Sequence, residues 1–184
     1  MDRNLSSIID DFPEYLFNTI NKVKHEARQQ GRDIVDLGYG NPDIPSHPLV
    51  VEKLNEASRL TKNHRYSVSR GIFGLRNSIS EKYFRSYNVT LNPEKNVVNT
   101  IGSKEGLTHL MLALCDPGDK VAIPDPSYPI HLYAPLIARA DVIKVPLVDT
   151  ESFLSNLDHM TKKKKIKALV VSFPHNPTTF EVNL

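Results

Sequence analysis

At 184 residues, with 40% hydrophobic and 24% charged content, the chain is long enough for one sizeable core and ordinary in composition for a globular protein. A formal net charge of +2 is too small to imply a nucleic-acid surface, and the basic run Lys162 to Lys165 with Lys167 reads as a solvated approach to an apolar strand. The single Cys115 rules out an internal disulfide framework and reads as a core thiol. No apolar run approaches transmembrane length, and Asp2, Asp10 and Asp11 stand where a targeting leader would be basic, so a cytoplasmic setting is expected.

In chain order, Pro13 to Gln29 reads as a helix with Leu16, Ile20, Val23 and Ala27 on one face, stopped by Gly31. Gly38-Tyr39-Gly40-Asn41-Pro42-Asp43 then marks irregular backbone, where a ligand approaches closely or the chain merely turns. Pro48 opens a helix with Val50, Leu54 and Ala57 as its buried stripe. A loop from Tyr66 to Gly74 enters another, with Leu75, Ile79 and Tyr83 inward. From Asn96 the alternation is regular: strand 96–101, helix 103–114, strand 120–123, helix 129–138, strand 141–145, helix 151–160, strand 168–173. In the first of these helices the inward stripe is Leu107, Leu110, Met111 and Leu114. Such alternation predicts an α/β fold, a partial three-layer α/β/α sandwich on a largely parallel sheet, preceded by an N-terminal helical arm.

In sheets of this kind ligands bind beyond the carboxyl ends of the strands. Three loops expected there carry unusual chemistry. Gly102-Ser103-Lys104 sets a turn, a hydroxyl and an ammonium at a helix start, which makes a phosphate or carboxylate cradle; the plain alternative is a turn glycine and a capping serine. Pro124 to Pro129 holds Tyr128 between prolines, either stacked on a planar ligand or packed as a core aromatic with a polar tip. Phe173 to Thr179 projects Asn176 before a proline, as an amide donor or as an ordinary Asn-Pro turn, with the Asn176-Pro177 bond a candidate for cis. Neither the three-glycine dinucleotide fingerprint nor the nucleotide-triphosphate loop is present, which leaves a small phosphorylated ligand. The seven histidines show no metal-ligand spacing, and His109 reads as packed; Arg70 and Arg76 read as structural or surface residues.

Gly40-Asn41-Pro42-Asp43, Tyr66 followed by Gly71, Gly74, Leu75 and Arg76, then Gly102-Ser103-Lys104, Pro126-Ser127-Tyr128-Pro129 and Asn176-Pro177-Thr178 follow one another in a familiar order. In this the chain resembles the N-terminal part of class I and II, fold-type I, pyridoxal-phosphate aminotransferases. The runs from Tyr66 and from Thr100 look most like the glutamate:pyruvate (alanine) transaminase branch, with LL-diaminopimelate aminotransferase a near relative. The resemblance implies that Ser103 and Lys104 hold the phosphate of pyridoxal 5′-phosphate, Tyr128 stacks on its ring and Asn176 hydrogen-bonds its phenolic oxygen. It further implies that Tyr66 reaches the phosphate of the neighbouring subunit of a homodimer, while Gly40 and Tyr15 lie on the substrate side. Residues 1–45 would form an arm belonging to the small domain and residues 46–184 an incomplete cofactor-binding large domain, with the C-terminal domain absent.

The resemblance also sets a limit. In the family the lysine that forms the Schiff base and the aspartate facing the pyridine nitrogen follow the Asn-Pro motif, and none of the 14 lysines here is a good substitute. The expectation is therefore a truncated aminotransferase of amino-acid biosynthesis, exchanging an amino group between a small amino acid such as alanine and 2-oxoglutarate, with this polypeptide alone inactive. The rivals are another fold-type I enzyme, a C-S lyase or a synthase, and a non-catalytic binding or interaction protein. The glycine that often follows Asn-Pro-Thr is replaced here by Thr179. The strand at 96–101 is expected to stand apart from the others or expose an unpaired edge, because its neighbours in the family come later in the chain.

Overall fold

The computed structural model describes residues 6–38, 40 and 42–182. Tyr39 and Asn41 of the first glycine-rich motif lie outside the described residues. The chain forms two compact units, one from the N-terminal residues up to Phe12 together with Asn99 onward, the other from Pro13–Val98.

The first unit contains α4 (Ser103–Leu114), β1 (Lys120–Asp125), α5 (Pro129–Ile137), β2 (Asp141–Pro146), α6 (Thr150–Lys163) and β3 (Ile166–Leu169). The three strands make one parallel sheet in the order β2-β1-β3. β1 is buried on both faces because its side chains alternate between two cores. Val121 and Ile123 join Met111 and Cys115 of the α4 segment and Ala134 and Ala138 of the α5 segment on one side. Ala122 joins Val145, Leu147 and Phe153, with Leu157 and Met160 of α6, on the other. Helices on both faces of a parallel sheet are the three layers expected. A register shift opposite Lys120 and Val121 reverses the facing of β3, so that Ile166 lies with the α6 core and Ala168 with the α4–α5 core.

Several boundaries and faces differ from the sequence reading. Residues 97–100 form no strand, because the sheet ends at β2 and β3 and no described strand offers them a ladder. β3 occupies 166–169 instead of 168–173; after a last bond from Val170 N to Ala122 O of 2.9 Å the chain leaves the sheet toward Pro174. The lysine run is partly helix: Lys162 and Lys163 form the last turn of α6, where cations suit the helix dipole. In α4 the buried face narrows to Leu107, Met111 and Cys115, and Leu110 and Leu114 stay exposed. His109 is likewise exposed and stands 3.5 Å from Glu105, so it is not packed. Cys115 is a buried thiol, and burial pushes its pKa up.

The second unit holds α1 (Leu16–Gln29), α2 (Pro48–Ser58) and α3 (Phe73–Tyr87). α1 begins at Leu16, three residues later than the pattern predicts, with Tyr15 as its N-cap. The expected inward residues Leu16, Val23, Val50, Leu54, Leu75 and Tyr83 are exposed. An amphipathic stripe is covered only where an opposing apolar surface exists, and the described residues of this unit supply none. Among its described residues the buried ones are Arg76, Ser80 and Val97. Arg76 therefore acts as the unit's centre: Nε donates to Gly71 O at 3.1 Å, Nη1 to Pro93 O, and Nη2 to Glu94 Oε1 at 3.1 Å. Among the described residues no helix is long and apolar enough to cross a membrane.

Candidate active site

β1 and β3 are adjacent and parallel, so the loops that follow them leave from one edge of the sheet. The first carries Tyr128 and the second Asn176. α4 runs back against this direction: its C-terminal end connects through a short turn to the start of β1, which leaves its N-terminus at the carboxyl edge. The observed geometry agrees, for Lys104 Nζ lies over the Tyr128 ring at 5.5 Å from its centroid. The structure thus brings Lys104 and Tyr128 together, with Ser103 in the same first turn of α4 and Asn176 exposed in the loop after β3.

The start of α4 carries no side-chain cap from its N-cap residue. Its N-cap is Gly102, at φ 90°, a conformation that favours glycine, and no side chain caps the turn. Ser103 is the first helical residue and does not cap, so the plain reading of that serine is not what forms. Glu105 Oε2 instead accepts from Ile101 N, on the far side of the turn. A glycine-led helix N-terminus, a hydroxyl and an ammonium fit an anionic phosphate.

The Tyr128 loop places a half-buried ring as the N-cap of α5, with Pro129 as the first helical residue behind it. The ring meets His131 edge-on at a centroid distance of 5.8 Å. Both Asp125-Pro126 and Asn176-Pro177 are cis, as is Phe173-Pro174. Sequence reasoning missed two residues of this region, His131 and His175. They are 9% and 2% exposed, and His175 Nδ1 is 2.8 Å from Thr178 Oγ1. Ser127 Oγ, His131 Nδ1 and His175 Nε2 are buried without a hydrogen-bond partner among the described residues. Three such atoms, all in the Tyr128 and Asn176 segments, mark a place where polar partners are still owed. The available signal was modest: a histidine one helical turn after Tyr128, and another directly before Asn176.

Burial lowers the pKa of both histidines, and the charge of His175 lowers that of His131 further. Above their ordinary value of 6.5 both states of the chain hold neutral imidazoles and the histidines contribute no pH slope. As pH falls below it the unfolded chain takes up protons that the folded chain resists, and stability drops. Urea unfolding between about pH 7.5 and 5.5 is expected to show a loss of up to about 1.4 kcal/mol per pH unit for each histidine. Replacing His175 by Asn should flatten the slope.

Tyr15, Gly40 and Tyr66 belong to the Pro13–Val98 unit. Tyr15 is half-buried, its ring 5.4 Å from that of Phe17. Gly40 is exposed, with open space where a Cβ would stand. Tyr66 is fully exposed. Arg70 and Arg76 are committed to Glu94 and are not open carboxylate clamps.

Residues 32–183 match the family model for aminotransferase class I and II. The chain belongs to this aminotransferase family. Among curated relatives, it is 46% identical over 178 residues to the glutamate-pyruvate aminotransferase AlaC of Escherichia coli, covering 96% of this chain and 43% of that protein. It is 38% identical to an LL-diaminopimelate aminotransferase of Moorella thermoacetica, covering 92% of this chain and 44% of the relative. Among solved structures, BacF of Bacillus subtilis superposes with a TM-score of 0.83 at 34% identity, over 97% of this chain and 46% of that one. The chain thus spans less than half the length of the aminotransferases it matches. Class I and II aminotransferases depend on pyridoxal phosphate, and the phosphate-suited turn beside an aromatic ring fits that cofactor.

Proposed function

We propose that the protein to which these residues belong is a homodimeric, cytoplasmic aminotransferase that exchanges an amino group between alanine or a similar small amino acid and a 2-oxo acid such as 2-oxoglutarate. The observation that carries this reading is the placement of Lys104 over Tyr128 at the N-terminus of α4, in a chain of the aminotransferase family. The substrate class is supported by the 46% identity to a glutamate-pyruvate aminotransferase; the match to LL-diaminopimelate aminotransferases supports a biosynthetic setting.

In this reading Ser103 and Lys104 bind the cofactor phosphate through the hydroxyl, the ammonium and the helix amides. Tyr128 orients the pyridine ring by stacking, and Asn176 donates its amide to the phenolic oxygen. Tyr66 completes the phosphate site of the neighbouring subunit, which suits its full exposure. Gly40 and Tyr15 face the substrate, Gly40 because a residue without a side chain admits a carboxylate closely. Pyridoxal phosphate, when bound, supplies the aldehyde that takes up the amino group from one substrate and passes it to the next. Residues 1–45 belong to the small domain of the whole enzyme and residues 46–184 to its large domain. None of the lysines here is placed for the covalent role: Lys104 is at the phosphate end, and Lys120 and Lys167 are at or near the amino ends of β1 and β3. The 184-residue polypeptide by itself is therefore expected to be inactive.

Equilibrium binding of pyridoxal phosphate to the full-length protein tests the site. Lys104→Ala and Tyr128→Ala are each expected to weaken binding roughly tenfold or more, as for a charge-assisted contact or a stacked ring. Unchanged binding in both variants would count against the assignment.

A further inference from the structure

Glu94 stands between two arginines that serve one loop. Its Oε2 accepts from Arg70 Nη2 at 2.9 Å and its Oε1 from Arg76 Nη2 at 3.1 Å, while its backbone oxygen accepts from Arg70 Nη1. The carboxylate is fixed from below by a turn: Asn92 Oδ1 accepts from Glu94 N and Lys95 N, and Asn96 Oδ1 accepts from Asn92 N. The two arginines reach the Tyr66 loop from opposite ends. Arg70 lies inside the tight turn closed by Gly71 N to Val68 O at 2.8 Å, and Arg76, on α3, binds Gly71 O. Gly71 itself is at φ 86°, so the turn requires this glycine. Tyr66, two residues before the turn, is fully exposed, and the loop from Tyr66 to Gly71 contains no helix or strand of its own. Charge-assisted bonds are needed to give such a segment a fixed position. The hydrogen bond from Arg76, and then the charges of Arg76 and Arg70, hold the Glu94 carboxyl below its ordinary pKa.

We propose that Glu94 is a positioning residue for Tyr66: through Arg70 and Arg76 it locks the 68–71 turn to the 92–96 turn, and so fixes the place from which Tyr66 is presented to a neighbouring subunit. This rests on the reading of Tyr66 as a ligand of the partner's cofactor phosphate. Glu94 touches neither cofactor nor substrate and acts only through the loop. Arg70, half exposed and bonded to Glu94, gives a second variant that spares the buried Arg76.

The test is a double-mutant cycle in the full-length protein, reading pyridoxal phosphate dissociation constants together with amide hydrogen exchange of residues 66–72. Tyr66→Phe is expected to weaken cofactor binding roughly tenfold. Glu94→Gln and Arg70→Gln should each weaken it roughly three- to tenfold and speed exchange in the loop. In the Tyr66→Phe background Glu94→Gln should add almost nothing, because its effect passes through the same hydroxyl. If Tyr66→Phe weakens binding but Glu94→Gln and Arg70→Gln do not, or if the losses add in full, the positioning role is overturned and the Tyr66 assignment survives. If Tyr66→Phe leaves binding unchanged, the assignment itself fails and the proposed role of Glu94 falls with it.

Discussion

Replacing Ile123 by Ala is expected to destabilise the sheet-containing unit by about 2–4 kcal/mol, measured as the shift of its urea unfolding midpoint. Ile123 is 1% exposed on the central strand, flanked by β2 and β3, and lies in the cluster that joins Met111, Ala134 and Ala138 to the sheet. Its cluster draws Met111, Cys115 and Leu107 from the α4 segment and Ala134, Ala138, Ile130 and Leu132 from the α5 segment, so truncation opens a gap between the sheet and two helices. A cavity term therefore adds to the lost transfer energy. Leu110→Ala is the contrasting case: Leu110 is 49% exposed on α4, and its truncation should cost well under about 1 kcal/mol. Equal losses in the two variants would contradict this account of where the core lies.

Arg76→Ala is the second large effect, with an expected loss of about 2–3 kcal/mol in the unfolding of the Pro13–Val98 unit. The guanidinium is 4% exposed and binds two backbone carbonyls, of Gly71 and Pro93, in addition to Glu94. Removing it leaves both carbonyls without that donor and also removes the cation 5.7 Å from the centre of the Phe73 ring. Because this unit encloses so few apolar side chains, the loss is a large share of its cohesion. Arg76→Lys should recover only part of it, since an ammonium cannot reach three acceptors in the planar arrangement of a guanidinium. Near- and far-ultraviolet circular dichroism melting of the full chain, with hydrogen exchange assigning the loss to residues 70–98, checks the prediction.

How much could be read beforehand varied with the kind of signal. The α4-to-β3 alternation follows directly from apolar runs of strand and helix length; β1 and β2 lie close to where the pattern places them, whereas β3 is shorter and starts earlier than expected. Strand 96–101 did not form, because β-branched composition states a preference while a strand exists only with a neighbour. The same logic explains Leu110, Val50 and Leu54: periodicity names the apolar face, but the covering surface must come from elsewhere. The turn and helix-start positions of Gly102, Ser103, Lys104, Tyr128 and Asn176 were legible because turn chemistry is local. His131 and His175 were not, since their importance comes from burial and missing partners, which depend on how separate segments pack. Arg76 was legible as structural, but its place at the centre of a unit was not, because nothing in one helix reveals carbonyls 17 residues away.

In the proposed function this chain supplies the phosphate-binding and ring-stacking residues of an aminotransferase site. The most direct measurement is the absorbance of the full-length protein with bound pyridoxal phosphate, followed as alanine and then 2-oxoglutarate are added. The account predicts that alanine changes the cofactor band with stoichiometric release of pyruvate, and that 2-oxoglutarate restores the band with formation of glutamate. A protein that binds the cofactor yet shows no amino-acid-driven change reversed by any 2-oxo acid would contradict it.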